Sequence, residues 1–310
     1  MTVAELTIEQ NAPIPTWFRI GGCADRLARP ESIDDIRRCF DIDRDAHVLG
    51  DGANLLVHDA GIDRLVVSLD APAFVRTSEP RRDGADVVLK VGAGVRLPRL
   101  INETVRMGLG GLEALAGIPG AMGGIVRMNA GGAFGEIKDF VRTVHAVDRD
   151  GTEHAIDASD AEFGYRRSAF GDVVITAVEL ALRPAGVNQL RARLGDVTAY
   201  KKRTQPMAKK SAGCCFKNPT LAEPIDGIGD AGDRVSAGLL IDRAGCKGLA
   251  IGGASVSELH ANFVTTAKQA RAADVIELLD DVARRVLDRF GVRLEREVVI
   301  WQRGDASRGS

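Results

Sequence analysis

The stretch Leu112–Glu136, LEALAGIPGAMGGIVRMNAGGAFGE, decides how the rest of this chain is interpreted. Glycine recurs throughout it, and large apolar side chains stand between the glycines, which indicates a buried segment and not a linker: Ile118, Ile125, Val126, Met128 and Phe134. Glycine at this density predicts positive φ angles or a very close approach of the main chain to another group. Successive turns of this kind can direct several N–H groups at one anion, such as a pyrophosphate. A glycine-rich core turn without a ligand is the alternative.

Length and composition limit the class of protein. The 310 residues suggest two or three lobes, and 45% hydrophobic and 27% charged residues are typical of a globular protein. A formal net charge of −2 does not favour nucleic acid or an anionic membrane as partner. No apolar run approaches the roughly 20 residues that span a bilayer, and no signal peptide is evident. Five scattered cysteines without C-x-x-C spacing argue against disulfides and zinc, and they fit a cytoplasmic protein.

The hydrophobic periodicity predicts three units of mixed helices and strands. Residues 1–70 form a small α/β unit, and residues 71–184 form a second one that is richer in strands. The segment RPAG (183–186) marks the boundary to a third unit, 185–303, and a polar tail at 304–310 is predicted to be disordered. Helices are expected at 33–40, 97–107, 187–203, 236–244 and 268–290, a hairpin at 141–156, and a final strand at 292–301.

Two Gly-x-Gly turns, at 50–52 and 92–94, begin like a dinucleotide-binding fingerprint but lack the third glycine. A Rossmann fold is therefore a weak interpretation. The chain contains no G-x-x-x-x-G-K-[ST] motif, which excludes a P-loop.

Two segments present an arginine and a pair of thiols. FGYRRS (163–168) places an arginine between an aromatic turn and a strand. Arginine suits a bidentate grip on a carboxylate or phosphate, although a surface arginine is the alternative. PMAKKSAGCCFKNP (206–219) presents Cys214 and Cys215 among lysines, which would lower a thiol pKa from its reference value of about 8.5. Such a thiol could be an acid, a nucleophile or a small buried hydrophobe.

Two further segments present a histidine and a pair of carboxylates. GGASVSELHANF (252–263) contains His260, for which a structural role is the alternative, and no H-E-x-x-H pattern indicates a metal site. LEREV (294–298) places Glu295 and Glu297 two residues apart on a predicted strand, so both would face the same side. They would form a solvated edge, or one would turn inward as an acid.

Taken in order, these segments resemble the UDP-N-acetylenolpyruvoylglucosamine reductase family (MurB), in its shorter branch that lacks an extra loop. The motifs cover nearly the whole chain: TWFRIGG (16–22), LGDGANLLVHDAG (49–61), VGAGVRL (91–97), GLEALAGIPGAMGGIVRMNAGG (111–132), FGYRRSAF (163–170), SAGCCFKNP (211–219), LIDRAGCKG (240–248), GGASVSELHANF (252–263) and LEREV (294–298). The resemblance implies an α+β or α/β fold, with a two-lobed FAD-binding domain of the vanillyl-alcohol-oxidase (PCMH) type and a C-terminal α/β substrate domain. It also implies non-covalent FAD, NADPH as hydride donor and a nucleotide-sugar substrate, with no metal and no obligate protein partner.

The family's activity implies roles for individual residues. UDP-N-acetylglucosamine enolpyruvate would be reduced to UDP-N-acetylmuramate in peptidoglycan precursor synthesis, with hydride passing from N5 of reduced FAD to C3. Arg166 would bind and polarise the substrate carboxylate, Glu297 would contact the same group, and Cys214 would donate a proton to C2. The positions implied for the cofactor are Gly50, Gly52, Ala53, Asn54, Leu55, Gly92, Gly94, Ala116, Gly117, Ile118, Pro119, Gly120, Gly123, Gly124 and Asn129. Those implied for the substrate are Tyr165, Lys202, Lys217, Asn218 and His260.

The chain departs from the family pattern at two places. Cys214 stands where most members have serine, and a thiol can donate a proton whereas a thiolate cannot. Gly50-Asp51-Gly52-Ala53-Asn54 replaces the usual Gly-Gly-Gly-Ser-Asn, and a carboxylate there should weaken FAD binding unless Asp51 points outward. Two alternatives follow: a diverged flavin reductase of the same fold that acts on another enol ether or sugar, and a non-catalytic regulator that binds flavin or a nucleotide-sugar.

Overall fold

The N-terminal part of the chain forms a four-stranded sheet with one helix. The computed structural model describes residues 6–304, and the first elements are β1 (Ile8–Pro13), β2 (Cys23–Ala28), α1 (Ile33–Ile42), β3 (His47–Leu49), β4 (Leu55–Val57) and β5 (Ile62–Ser68). The strand order is β1-β2-β5-β3, and β2, β5 and β3 run parallel. Helix α1 begins after Ser32 because its hydroxyl accepts a hydrogen bond from the Asp35 N–H at 3.1 Å. Because β3 ends at Leu49, the turn 50–54 follows the carboxyl end of a parallel strand.

The middle of the chain forms a larger antiparallel sheet. Its elements are β6 (Arg81–Asp83), β7 (Asp86–Gly92), α2 (Leu97–Arg106), β8 (Leu109–Gly110), α3 (Met122–Arg127), β9 (Gly131–Gly132), β10 (Gly135–Glu136), β11 (Val141–Asp148), β12 (Glu153–Asp157) and β13 (Val173–Pro184). The order is β12-β11-β13-β7-β6, with β8 beside β13 and β9 paired only with β10. The predicted hairpin is confirmed, since β11 and β12 pair antiparallel.

The glycine-rich stretch packs against this sheet as a 3₁₀ turn (Leu112–Leu115), helix α3 and the small β9–β10 hairpin. Ile125 and Val126 are buried in the same core as α2, as the apolar spacing predicts. Phe134 is an exception, because it is 40% exposed and packs edge-on against Tyr200. The stretch is thus an irregular wall that is buried or half-buried at most positions and exposed at 124 and 132–134.

The C-terminal part contains α4 (Val187–Thr204), α5 (Ala237–Arg243), β14 (Ala250–Ile251), β15 (Ala254–Val256), β16 (Val264–Thr266), α6 (Ala272–Phe290) and β17 (Val299–Trp301). The predicted final strand is confirmed only over its last residues, since within residues 6–304 the segment 292–298 has no ladder partner beyond a single bridge between Phe216 and Arg296. Strand β17 pairs in parallel with β4, so the end of the chain returns to the N-terminal lobe.

The hydrophobic side chains form a large core around the antiparallel sheet and a second one around α5 and α6. Leu190 of α4 packs in the first of these cores, although it follows residue 184. The division into units at residues 70, 184 and 303 stays a prediction. The tail predicted at 304–310 lies outside the described residues except for Gly304.

Candidate active site

A cavity of about 940 Å³ lies where the turn after β3, the glycine-rich stretch, the end of α4 and the C-terminal segment meet. Its volume is at the upper end of the range of roughly 300–1,000 Å³ that is usual for ligand sites. Most positions implied for a cofactor line it: Gly50, Gly52, Ala53, Asn54, Leu55, Gly94, Gly117, Ile118, Pro119, Gly120, Gly123 and Gly124. The positions that the sequence implies for the cofactor therefore form one wall of this cavity.

Three of the implied cofactor positions are not part of the wall within the described chain. Gly92 lies where a Cβ would be 2.2 Å from the Phe74 carbonyl oxygen, and Ala116 is buried behind the turn. Asn129 is fully buried, and its amide donates to Glu136 and to the Gly164 carbonyl at 3.0 and 2.9 Å. These residues shape the wall from behind, and their implied contact with a cofactor is not supported by their positions.

The backbone of the wall has the conformations that only glycine adopts without strain. Gly117 and Gly120 have φ angles of 78° and 132°. Gly52 has φ 61°, and a Cβ there would lie 2.0 Å from the Pro15 carbonyl oxygen. At Gly124 no atom lies within 4 Å of where a Cβ would stand, so the main chain is open to the cavity. A ligand can therefore approach the peptide groups closely.

Two buried polar atoms of the cavity wall lack a hydrogen-bond partner within the described chain. They are the hydroxyl oxygen of Ser211 and the indole Nε1 of Trp301. Burying such groups without a partner is costly. The open glycine backbone, these two orphaned groups and the cavity volume together fit a large ligand with many polar acceptors, such as FAD.

Asp51 does not face the cavity as an isolated carboxylate. One of its oxygens accepts a hydrogen bond from the indole of Trp17 at 3.1 Å. The other forms an ion pair with the Nε of Arg96 at 2.7 Å. Asp51 is 7% exposed, whereas Arg96 is 72% exposed. The expected repulsion of a phosphate is thus offset by a neighbouring guanidinium, and Asp51 links three chain segments at the cavity rim.

Arg166 and Glu297 form a largely buried ion pair in the cavity wall, with 17% and 13% of their side chains exposed. The Nε of Arg166 lies 2.7 Å from a Glu297 oxygen, and its Nη2 donates to the Gly131 carbonyl at 3.0 Å. Arg166 has φ 54°, a strained conformation for a side-chain-bearing residue and one that is concentrated at functional sites. Burial raises the pKa of Glu297, although the charge of Arg166 opposes this. Glu297 can therefore hold a proton at a higher pH than an exposed carboxyl.

Glu295 and Glu297 do not face the same side, contrary to the prediction. The side chain of Glu295 is 73% exposed and pairs with the Nζ of Lys217 at 2.6 Å. The reason is that residues 294–298 are not a regular strand: Glu297 N–H donates to the Cys215 carbonyl, and the Glu297 carbonyl accepts from the Asn54 side chain. These contacts turn Glu297 inward.

Cys214 lies in the cavity wall beside this pair. Burial, and then the Glu297 charge, raise its pKa to about 12, so the lysines around it in the sequence do not make it a thiolate. Cys215 is 1% exposed and packs in the second core, where burial also raises its pKa to about 12. The two thiols therefore differ in access, and only Cys214 is available to a ligand.

The residues implied for substrate binding are divided between the cavity and its surroundings. His260 lines the cavity, and burial lowers its pKa. Among the described residues, Tyr165, Lys217 and Asn218 lie behind the wall: the Tyr165 hydroxyl accepts from Asn218 N–H at 3.1 Å, and Asn218 Oδ1 accepts from Ala237 N–H at 3.0 Å. They position the segment that carries Cys214, and direct contact with a substrate stays a prediction for them.

Lys202 is exposed on α4, and Lys201 is the lysine that lines the cavity. Successive helix residues point about 100° apart, so one of two adjacent lysines faces inward when the other faces solvent. The spacing of the apolar residues Leu190 and Val197 in α4 predicts which lysine faces inward, because position 201 lies on the same face of the helix. The structure therefore favours Lys201 over the implied Lys202.

The described chain shows neither a metal-binding cluster nor a membrane-spanning helix. Within residues 6–304, no cluster of histidine, cysteine, aspartate and glutamate side chains could hold a metal ion. None of the helices in that range has the length and apolarity that a membrane span needs.

Comparison with known proteins relates the chain to one family. Residues 24–157 match the family model of an FAD binding domain, and residues 205–301 match that of the UDP-N-acetylenolpyruvoylglucosamine reductase C-terminal domain. A UDP-N-acetylenolpyruvoylglucosamine reductase of Desulfosudis oleivorans is 41% identical, covering 92% of this chain and 91% of its own. The protein of that name from Moorella thermoacetica is 38% identical over 98% and 96%. The crystal structure of the Thermus caldophilus reductase superposes with a TM-score of 0.77 at 36% identity, over 96% of this chain and 99% of that one.

Proposed function

The chain belongs to the UDP-N-acetylenolpyruvoylglucosamine reductase family, and we propose that it reduces the enolpyruvyl ether of UDP-N-acetylglucosamine to UDP-N-acetylmuramate for peptidoglycan synthesis. It is an FAD-dependent oxidoreductase by its family and by its FAD-binding domain, and NADPH is the proposed hydride source. The expected FAD-binding fold is confirmed by the same domain match and by the superposition on the Thermus caldophilus enzyme. The five cysteines, all free, support a cytoplasmic location as part of the proposal.

One observation supports the proposed chemistry above all others. The buried pair of Arg166 and Glu297 and the protonated thiol of Cys214 lie in the wall of the cavity whose other side is the open glycine backbone. A carboxylate ligand needs a guanidinium, and a developing carbanion needs an acid nearby. This set of groups meets both needs beside the space for a flavin.

Bound FAD would supply the hydride transfer, first accepting a hydride from NADPH and then passing one to the enol ether. Arg166 would hold the substrate carboxylate and stabilise the negative charge that grows on it as the enol ether is reduced. Glu297 fixes the Arg166 guanidinium at 2.7 Å, and burial raises its pKa, which favours the protonated form that would donate to the same carboxylate. Cys214 would give its proton to C2 of the substrate, since its pKa of about 12 keeps it a thiol at neutral pH.

Substrate-dependent oxidation of NADPH tests this proposal. The purified protein should consume one NADPH per UDP-N-acetylglucosamine enolpyruvate, followed by absorbance and by detection of the muramate product. Oxidation only with another enol ether or sugar would indicate a diverged reductase. Bound flavin without any such turnover would indicate a binding protein, and either result would overturn the proposed function.

A further inference from the structure

Lys201 is a buried lysine that forms no ion pair with a carboxylate among the described residues. It is 7% exposed, near the C-terminal end of α4. Its aliphatic stem lies 3.3 Å from where a Cβ on Gly117 would stand, and its Nζ lies 3.7 Å from the equivalent point at Gly132. The lysine side chain therefore packs along the main chain of two glycines in the cavity wall.

Within residues 6–304, the charges that act on Lys201 are those of Cys214 and Arg166. Cys214 is a neutral thiol at pH 7, and Arg166 repels the ammonium group. The carboxylate of this cluster, Glu297, is already bonded to Arg166. Burial accordingly lowers the pKa of Lys201. A buried cation in such a place is costly unless a ligand supplies negative charge.

Three anionic groups could meet this cation: a group of the substrate, the diphosphate of FAD, or the flavin ring once it has been reduced. Lys201 interacts electrostatically with Cys214 and Arg166, which are the residues proposed to act at the reacting end of the substrate, and the flavin ring has to lie at that end. The stem of Lys201 also packs on Gly117, which belongs to the glycine segment that lines the proposed FAD site. A cation beside a flavin ring stabilises its reduced, anionic form relative to its oxidised, neutral form, which raises the reduction potential.

We propose that Lys201 stabilises the negative charge that the bound flavin gains on reduction, and that it thereby sets the reduction potential of the cofactor. This inference rests on the proposed function, because it requires FAD in the cavity. Lys201 would direct its positive charge toward the cofactor and would take no part in proton transfer to the substrate. This role also explains why a lysine is buried against two glycines at this point of α4.

The test is the two-electron reduction potential of the FAD-loaded protein, measured by dye equilibration without any nucleotide-sugar. Lys201→Met removes the charge at nearly constant volume, and Lys201→Arg keeps it. We expect Lys201→Met to weaken binding of reduced relative to oxidised flavin at least tenfold, which lowers the potential by about 30 mV. Lys201→Arg should stay close to wild type. Sulfite, whose addition leaves negative charge on the flavin ring, should bind Lys201→Met at least tenfold more weakly.

Lys202→Met is the matched control, because it removes the same charge one residue away on the exposed side of α4. It should leave the potential and the sulfite affinity unchanged. If Lys201→Met does not retain FAD, Lys201→Gln carries the same measurement. An unchanged potential with a raised KM for the nucleotide-sugar would assign Lys201 to the substrate and overturn the inference. A yellow wild-type protein that fails to oxidise NADPH would contradict the proposed function and leave this measurement valid, whereas a protein unable to bind FAD would overturn both.

Discussion

The most informative single residue is Cys214, because its position was expected from the sequence whereas its protonation state depends on the fold. Its neighbours in the sequence are lysines, yet burial and then the charge of Glu297 outweigh the nearby cations Arg166 and Lys201 and raise its pKa to about 12. At pH 7 it is therefore a neutral thiol. The thiol thus has the protonation state of the serine that it replaces in most of the family.

Replacement of Cys214 should affect one half-reaction. General acid catalysis contributes a factor of about 10² to 10⁴, so Cys214→Ala should slow reoxidation of the flavin by substrate on that scale. Cys214→Ser should retain much of the activity, because a hydroxyl can donate from the same position. Stopped-flow absorbance of the flavin measures both steps, and Cys215→Ala serves as the control because Cys215 faces the core. Wild-type reoxidation by Cys214→Ala would mean that water or another residue is the donor.

A second prediction concerns the charge state of Glu297. Burial raises its pKa, and a carboxyl with a raised pKa keeps its proton to higher pH and loses it as the pH rises through that value. If the protonated form assists the substrate carboxylate, flavin reoxidation should slow with rising pH. Glu297→Gln, a permanently neutral donor, should give a flat profile at a lower rate. Reduction of the flavin by NADPH should be nearly unaffected in Glu297→Gln and in Arg166→Ala.

Stopped-flow measurement of the two half-reactions as a function of pH checks this. A reductive half-reaction that is slowed by either substitution would place the pair next to the nicotinamide and would reverse the assignment. Cys214 does not account for the same pH dependence, because its pKa of about 12 lies far above neutral pH.

At the scale of elements, the cavity rim depends on contacts between segments that are distant in the chain. Asp51 connects the turn after β3 to Trp17 and to Arg96 at the start of α2. The Asn54 side chain donates to the Glu297 carbonyl at 2.8 Å, which joins the same turn to the C-terminal segment. The turn therefore positions both the proposed phosphate-binding backbone and the catalytic carboxyl.

Removal of the Asp51 side chain tests the rim. Asp51→Gly restores the residue usual in the family but releases Trp17 and Arg96. FAD should therefore dissociate about two- to fivefold faster, since the guanidinium of Arg96 is largely exposed and such an ion pair contributes roughly 0–1 kcal/mol. Recovery of flavin fluorescence on dilution gives the rate. Glu103→Gln breaks the exposed Arg99–Glu103 pair of α2 and is the control. Slower release from Asp51→Gly would show that repulsion of the phosphate outweighs the contacts at the rim.

At the scale of the whole molecule, the cavity lies between parts of the chain that a bound cofactor and substrate would connect. Strand β17 pairs with β4, so the last part of the chain is tied to the N-terminal lobe and not to the antiparallel sheet. A ligand that fills a cavity of about 940 Å³ between them should therefore stabilise the whole fold. Binding to the native state alone contributes ~2.7 kcal/mol when the ligand is at a hundredfold excess over Kd.

The purified protein should accordingly be yellow, with about one FAD per chain held without a covalent bond. Its unfolding midpoint should fall when the flavin is removed and recover when FAD is added back. Differential scanning calorimetry measures the shift, and the absorbance of the supernatant after acid precipitation shows whether the flavin is released. A colourless protein that gains no flavin absorbance with FAD would contradict the family assignment, whereas flavin that stays in the precipitate would contradict only the non-covalent part.

What the sequence determined by itself is local. The glycine-rich stretch, the capped helix α1, the hairpin of β11 and β12, and the motifs that contain Arg166 and Cys214 all follow from short-range patterns. Glycine conformations, helix caps and hairpin turns depend on residues that are adjacent in the chain, so they can be predicted without the fold. The family motifs then assigned the cofactor, because their order along the chain is itself a pattern.

What only the tertiary structure decided is which side chains the cavity encloses and with which charge. Glu297 meets Arg166 across 131 residues, and this contact separates it from Glu295. The orientation of α4 on its core selects Lys201 over Lys202. Burial and electrostatic interactions depend on groups brought together from distant segments, and no local pattern records them. For that physical reason the protonation of Cys214 and the burial of Lys201 became visible only in the folded chain.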